Sequence, residues 1–179
     1  MTSTDLTSTS TDGSADFDFI FGTWQVRNHK LRDATDPECT EWLEFDTTAH
    51  AEPILGGLGN VDRVWAKAAG DAAAWEGFTL RQFDPVAQVW RIWWTSTKAV
   101  GFLDPPLEGR FVDGAGEFSC DDVIAGRAVK VRFDWTQPTP QTARWAQSFS
   151  WHGGANWQLN WVMDFARPAG AIFAPSLWS

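Results

Sequence analysis

The stretch Phe17–Arg32, FDFIFGTWQVRNHKLR, constrains the rest of the chain more than any other. Three phenylalanines (Phe17, Phe19, Phe21) run into Gly22-Thr23-Trp24, and from there Trp24, Val26 and Asn28 alternate with Gln25, Arg27 and His29. Strict alternation puts successive side chains on opposite faces of an extended strand. A Trp at the mouth of a strand is a large apolar group that must be covered, and the glycine two residues before it lets the chain turn closely around it. The aromatic run in front reads as a short N-terminal plug.

The same period of two recurs in short runs between turn residues. In Glu41–His50, Leu43, Phe45 and Thr47 alternate with Trp42, Glu44 and Asp46, and the turn-rich Asp33–Pro37 makes this run a hairpin partner of the first. Glu44 then falls beside Asn28 or His29, depending on a one-residue choice of register. Pro53–Asn60 holds three glycines without the Lys-Ser/Thr of a phosphate loop, and reads as a bend or bulge. Val61–Ala66 continues as a strand. Trp75–Phe83 and Gln88–Thr95 flank the turn Asp84-Pro85-Val86-Ala87, with Phe78 and Leu80 on one apolar face and Trp90, Ile92 and Trp94 on the other. Arg110–Phe118, Arg127–Trp135, Ala143–Trp151 and Trp157–Phe165 complete the series, with Gln137–Pro140 as a loop. No stretch has a helical period. About nine or ten strands joined by short turns predict an all-β fold, a single closed antiparallel barrel, with a two-sheet sandwich as the alternative.

The 179 residues suit one domain. Residues 1–15, rich in Ser and Thr with no apolar core, read as a disordered tail rather than a signal peptide, residues 16–167 as the barrel, and residues 168–179 as an apolar tail. In that tail Ile172, Phe173, Leu177 and Trp178 call for a surface, the barrel wall or a partner, which suggests a homodimer. The net charge of −9 and the absence of a basic run argue against nucleic acid and membrane as partners. Cytoplasm is the default location. Cys39 and Cys120 form neither a disulfide framework nor a metal motif, and His29, His50 and His152 lie too far apart for one. No cofactor or metal is expected.

Several blocks together resemble an uncharacterised bacterial family of single-domain proteins. They are FDFxxGTWxVxN at Phe17–Asn28, Leu55-Gly56-Gly57-x-Gly59-Asn60-Val61-Asp62, Arg144-Trp145-x-Gln147-x-Phe149-Ser150 and Asn160-Trp161-Val162-Met163-Asp164-Phe165. The resemblance covers Phe17 to Arg167 and implies a lipocalin-like (calycin) barrel, related in architecture to fatty-acid-binding proteins and nitrobindin. It implies that Trp24 plugs one end. His152 and Gln158 depart from the family's usual Asp and Glu.

Composition then turns attention to the interior: 13 Trp and 13 Phe with no Tyr are more aromatic bulk than a barrel of this size easily buries without lining a cavity. Gln147 shares the parity of Trp145, Phe149 and Trp151, and Asn28 that of Trp24 and Val26, so both amides face the apolar side and need partners there. Arg91, Arg132 and Asp134 also fit the wet face of their strands. The candidate ligand-binding residues are Trp24, Asn28, Asn60, Arg81, Trp93, Arg132, Trp145, Gln147, Asn160 and Trp161. The reading is a pocket for a largely apolar or aromatic small molecule. One alternative is a cofactor-independent cyclase, isomerase or dehydratase with Glu44 or Asp62 as buried acid or base. The other is an interaction module whose aromatic residues are all core.

Overall fold

Strands follow one another with short connections, and each pairs with the next in sequence. The computed structural model describes residues 12–70 and 72–169. Its ten strands are β1 (Gly22–Leu31), β2 (Trp42–Ile54), β3 (Gly59–Ala66), β4 (Trp75–Asp84), β5 (Val89–Ser96), β6 (Leu107–Val112), β7 (Ala115–Ile124), β8 (Arg127–Thr139), β9 (Thr142–Ser150) and β10 (Gln158–Ala166). All neighbours are antiparallel, and β1 also pairs with β10, Val26 opposite Phe165, which closes the barrel. Closure leaves no sheet edge to protect, and consecutive pairing explains why every signal lay in local alternation.

The connections follow from their residues. Asp113-Gly114 and Ala125-Gly126 both hold two consecutive positive φ angles (51° and 80°, 51° and 75°), the two-residue turn whose twist matches the strands it joins. The glycines after Pro53, expected to bend a strand, instead end β2: Leu55–Gly57 is a 3-10 turn with φ of 53°, 64° and 92° leading directly into β3. Gln137–Thr139, expected as loop, belongs to β8.

One end of the barrel is solid. Asp18–Ile20 forms a 3-10 turn across it, and Phe17, Ile20, Trp24, Trp90 and Phe118 beneath are buried to within 2% of full. The Phe17 ring meets Trp90 edge-on at 5.0 Å, Phe111 at 4.9 Å and Trp135 at 6.0 Å. Trp24 is the floor that the sequence implied: its Nε1 donates to the Ile20 carbonyl at 2.7 Å. Gly22, at φ 92°, makes the turn into β1. Arg167, just past β10, lays its guanidinium 3.5 Å from the Trp24 ring centroid and donates to the Phe19 carbonyl at 2.9 Å, fastening the last strand to the plug. The plug begins before residue 16, because Trp90 Nε1 donates to the Gly13 carbonyl at 3.0 Å. Of the expected tails, residues 1–11 and 170–179 lie outside the described residues.

Candidate functional site

Above the plug the interior is hollow. A cavity of about 250 Å³ extends from Trp135 and Arg81 to a mouth beside Lys30, Ala34, Thr35 and Asp104. Its walls follow from parity: β8 turns Phe133 and Trp135 inward, β9 Trp145, Gln147 and Phe149, and β10 Trp161, Met163 and Phe165. Trp75 and Trp94 close the opposite side, with edge contacts to Trp161 at 6.3 Å and 6.4 Å.

One wall carries a buried ion network. Register sets Asn60 opposite Arg81 and Asp62 opposite Thr79, so four inward polar side chains adjoin on two strands. The Asp62 carboxylate pairs with Arg81 Nη1 and accepts a hydrogen bond from Thr79 Oγ1 at 3.1 Å. Arg81 Nη1 also donates to Asn60 Oδ1 at 3.0 Å. The two charged side chains are only 4% and 7% exposed. Burial on this scale is tolerated because the charges neutralise each other and have hydrogen bonds besides. The guanidinium further lies 5.0 Å from the Phe17 ring and 5.5 Å from that of Trp135. Arg81 Nε and Trp135 Nε1 are buried without a hydrogen-bond partner among the described residues, and both side chains line the cavity.

Two amides hold the aromatic wall. Gln147 Nε2 donates to Asn160 Oδ1 at 2.7 Å across the β9–β10 bulge. Asn28 accepts from Trp161 Nε1 at 3.0 Å and donates to Thr47 Oγ1 at 3.0 Å. Asn28, Asn60 and Asn160 are each fully buried and stand behind the cavity surface rather than on it.

The mouth is cationic on one side. Lys30 Nζ lies 3.9 Å from the Trp161 ring centroid, and Lys98 Nζ lies 5.1 Å from that of Trp75. Burial, with a smaller contribution from the Lys98 charge, pushes the Lys30 amine down to about 8. The Asp104 carboxyl on the same cavity is pushed up, first by burial and then by the charge of Asp122.

Of the residues singled out from sequence, Asp62, Arg81, Trp145, Gln147 and Trp161 line the cavity. Trp24 lies in the plug below it. Glu44, Trp93 and Arg132 face outward, because each has the opposite strand parity to its buried neighbours. Glu44 pairs with Arg27 at 2.8 Å and His29 at 3.5 Å, with its side chain 55% exposed. The Arg27 hydrogen bond, then the charges of His29 and Arg27, hold its carboxyl below the usual range. It is therefore not the buried acid or base that the sequence suggested. Trp93 pairs with outward Leu80, and Arg132 donates to Asp134 at 3.1 Å with its guanidinium 4.6 Å from the Trp157 ring. The apolar face expected for β4, Phe78 and Leu80, is the outer one; Thr79, Arg81 and Phe83 point in.

Lys30, Trp75, Thr79, Trp94, Asp104 and Trp135 join the site without having been singled out. Lys30 continues the parity of Trp24, Val26 and Asn28, so that signal was present. Asp104 sits in a connection, where alternation carries no information. Cys39 and Cys120 are free, and burial with three nearby acids pushes the Cys120 thiol up to about 11, which suppresses the thiolate. Among the described residues no group of three His, Cys, Asp or Glu is placed to hold a metal, and no helix is long and apolar enough to cross a membrane.

No family profile and no curated protein matches the chain. Among solved structures it is similar to a redesigned β-barrel, at 10% identity and a TM-score of 0.46, over 88% of this chain and 96% of the other.

Proposed function

We propose that this barrel binds a largely apolar, aromatic small molecule in the cavity above the plug. The observation that carries the reading is an aromatic-walled space of about 250 Å³ on whose lining the polar side chains of Asp62, Thr79, Arg81 and Gln147 are set among Trp and Phe. Such a mixture of apolar wall and a few placed polar groups is what fixes a small ligand's orientation. An interaction module whose aromatic residues are all core would have no reason to keep this space. The volume is at the lower edge of the ~300–1,000 Å³ of drug-sized sites, which favours a ligand of one or two rings. Native mass spectrometry of freshly purified protein, with saturable quenching of tryptophan fluorescence by small aromatic compounds, tests it. A retained mass or saturable binding supports the reading; neither across a broad library of such compounds overturns it.

A second reading, a cofactor-independent cyclase, isomerase or dehydratase, draws on Asp62, a carboxylate within the cavity. Both its oxygens are engaged, one by Arg81 and one by Thr79, so it acts on a substrate only by exchanging a partner. Loss of turnover with retained affinity in Asp62→Asn would favour it over simple binding.

A further inference from the structure

We infer that the ligand of this cavity carries an anionic group, of the carboxylate class, which sits at the mouth against Lys30 with Lys98 beside it. The inference rests on the small-molecule reading above and adds the charge and orientation of the ligand. The chain has 23 acidic and 14 basic residues, and only four of the basic ones are lysines. Two of those four lie on tryptophans of this one cavity, Lys30 on Trp161 and Lys98 on Trp75. Most arginines are spent otherwise: Arg27, Arg32, Arg63, Arg81, Arg91, Arg132 and Arg144 all pair with carboxylates. Lys30 and Lys98 form no ion pair among the described residues, and Asp104, on the same cavity, pairs with neither.

In a chain with acid to spare, two unpaired cations near enough to repel each other are an unfavourable arrangement. The faces of Trp161 and Trp75 offset part of that. An anion between them would offset the rest and would give the half-buried Lys30 a charge partner. The deep wall does not compete, because Asp62 and Arg81 already neutralise each other there. The ligand therefore enters rings first, its neutral end toward Arg81 and Trp135 and its anionic end outward.

Isothermal titration of the full chain with 2-naphthoate and its neutral isostere 2-naphthamide tests this. Naphthoate should bind about tenfold more tightly, the worth of one charge-assisted hydrogen bond. Within the Lys30→Met variant naphthoate and naphthamide should bind equally, and Lys30→Arg should keep the preference. Lys98→Gln, at an exposed position where folding is not at stake, should reduce it by a smaller factor. Equal binding of the two compounds to the native chain, or a preference that survives Lys30→Met combined with Lys98→Gln, overturns the inference and leaves the binding reading standing. If neither compound binds, the inference is overturned as well, while the binding reading falls only when the broader library also fails.

Discussion

At the plugged end of the barrel Trp24 and Trp90 are buried on all sides, and each indole N–H ends on a backbone carbonyl, of Ile20 and of Gly13. At the open end Trp75, Trp94, Trp145 and Trp161 stand around a cavity, alongside a buried ion pair and an unpaired lysine. Both ends draw on the same aromatic residue type, and β5 supplies one to each, Trp90 below and Trp94 above. What separates them is what lies opposite each ring: the Phe17–Ile20 segment below, and polar side chains from β3, β4 and β1 above. Trp135 is the boundary, packed against Phe17 and Phe19 underneath while it lines the cavity overhead. Aromatic content alone therefore does not separate the two ends; the aromatic wall around open space, with a buried ion pair beside it, does.

This contrast predicts that plug substitutions cost stability alone, whereas cavity substitutions also change binding. The largest effect should be that of Trp24→Ala, about 3–5 kcal/mol, as for other buried aromatic truncations. Chemical denaturation measures it, and probe affinity of the fraction that stays folded should match the native chain. A loss below about 1 kcal/mol would remove Trp24 from the floor. Nearly as large, Asp62→Asn leaves Arg81 as a buried, uncompensated charge and should cost about 3–5 kcal/mol. Replacing both partners, Asp62→Leu with Arg81→Met, should recover much of that while changing which probes bind. A double variant no more stable than the single would mean that the network does more than neutralise itself.

Smaller again is Gln147→Leu, which strips Asn160 of the donor at its Oδ1 and should cost about 1–3 kcal/mol. Because Gln147 lines the cavity, the ranking of aromatic probes should shift as well. Asn28→Leu makes the useful contrast. Asn28 lies behind the wall and holds Trp161 by its indole N–H, so its loss should weaken binding through a looser ring rather than through a lost contact.

Much of this was legible in alternation, and the failures have a common cause. The parity of their neighbours places Gln147 and Asn28 inward, and both are inward. In β4, Phe78 and Leu80 make the outer side resemble core, while the inner side holds Thr79 and Arg81. A strand whose inward face is polar cannot be oriented from hydrophobicity. It is oriented by its partner, since Asp62 and Asn60 on β3 need Arg81 and Thr79 opposite them. Glu44, Trp93 and Arg132 differ in kind: their chemistry suits a pocket, but the period of their own strands puts them outside. Lys30 is the converse, a charged residue whose period puts it inside.

Glu44→Gln should have the smallest effect, and that makes it the sharpest check on the frame. Glu44 faces solvent opposite His29, with Arg27 as its main partner, and exposed pairs of this kind are screened by salt and water. The variant should show no measurable change in denaturation midpoint, and the same affinity for both naphthyl probes as the native chain. The result matters because β1 and β2 could have paired one residue out of step, with Glu44 beside Asn28 and turned toward the cavity. Such a slip reverses every side chain of the strand at once. A loss of stability approaching that of Asp62→Asn, or a changed preference between naphthoate and naphthamide, would indicate that slipped register. An unaffected Glu44→Gln beside a crippled Asp62→Asn would leave Asp62 as the carboxylate that belongs to the cavity.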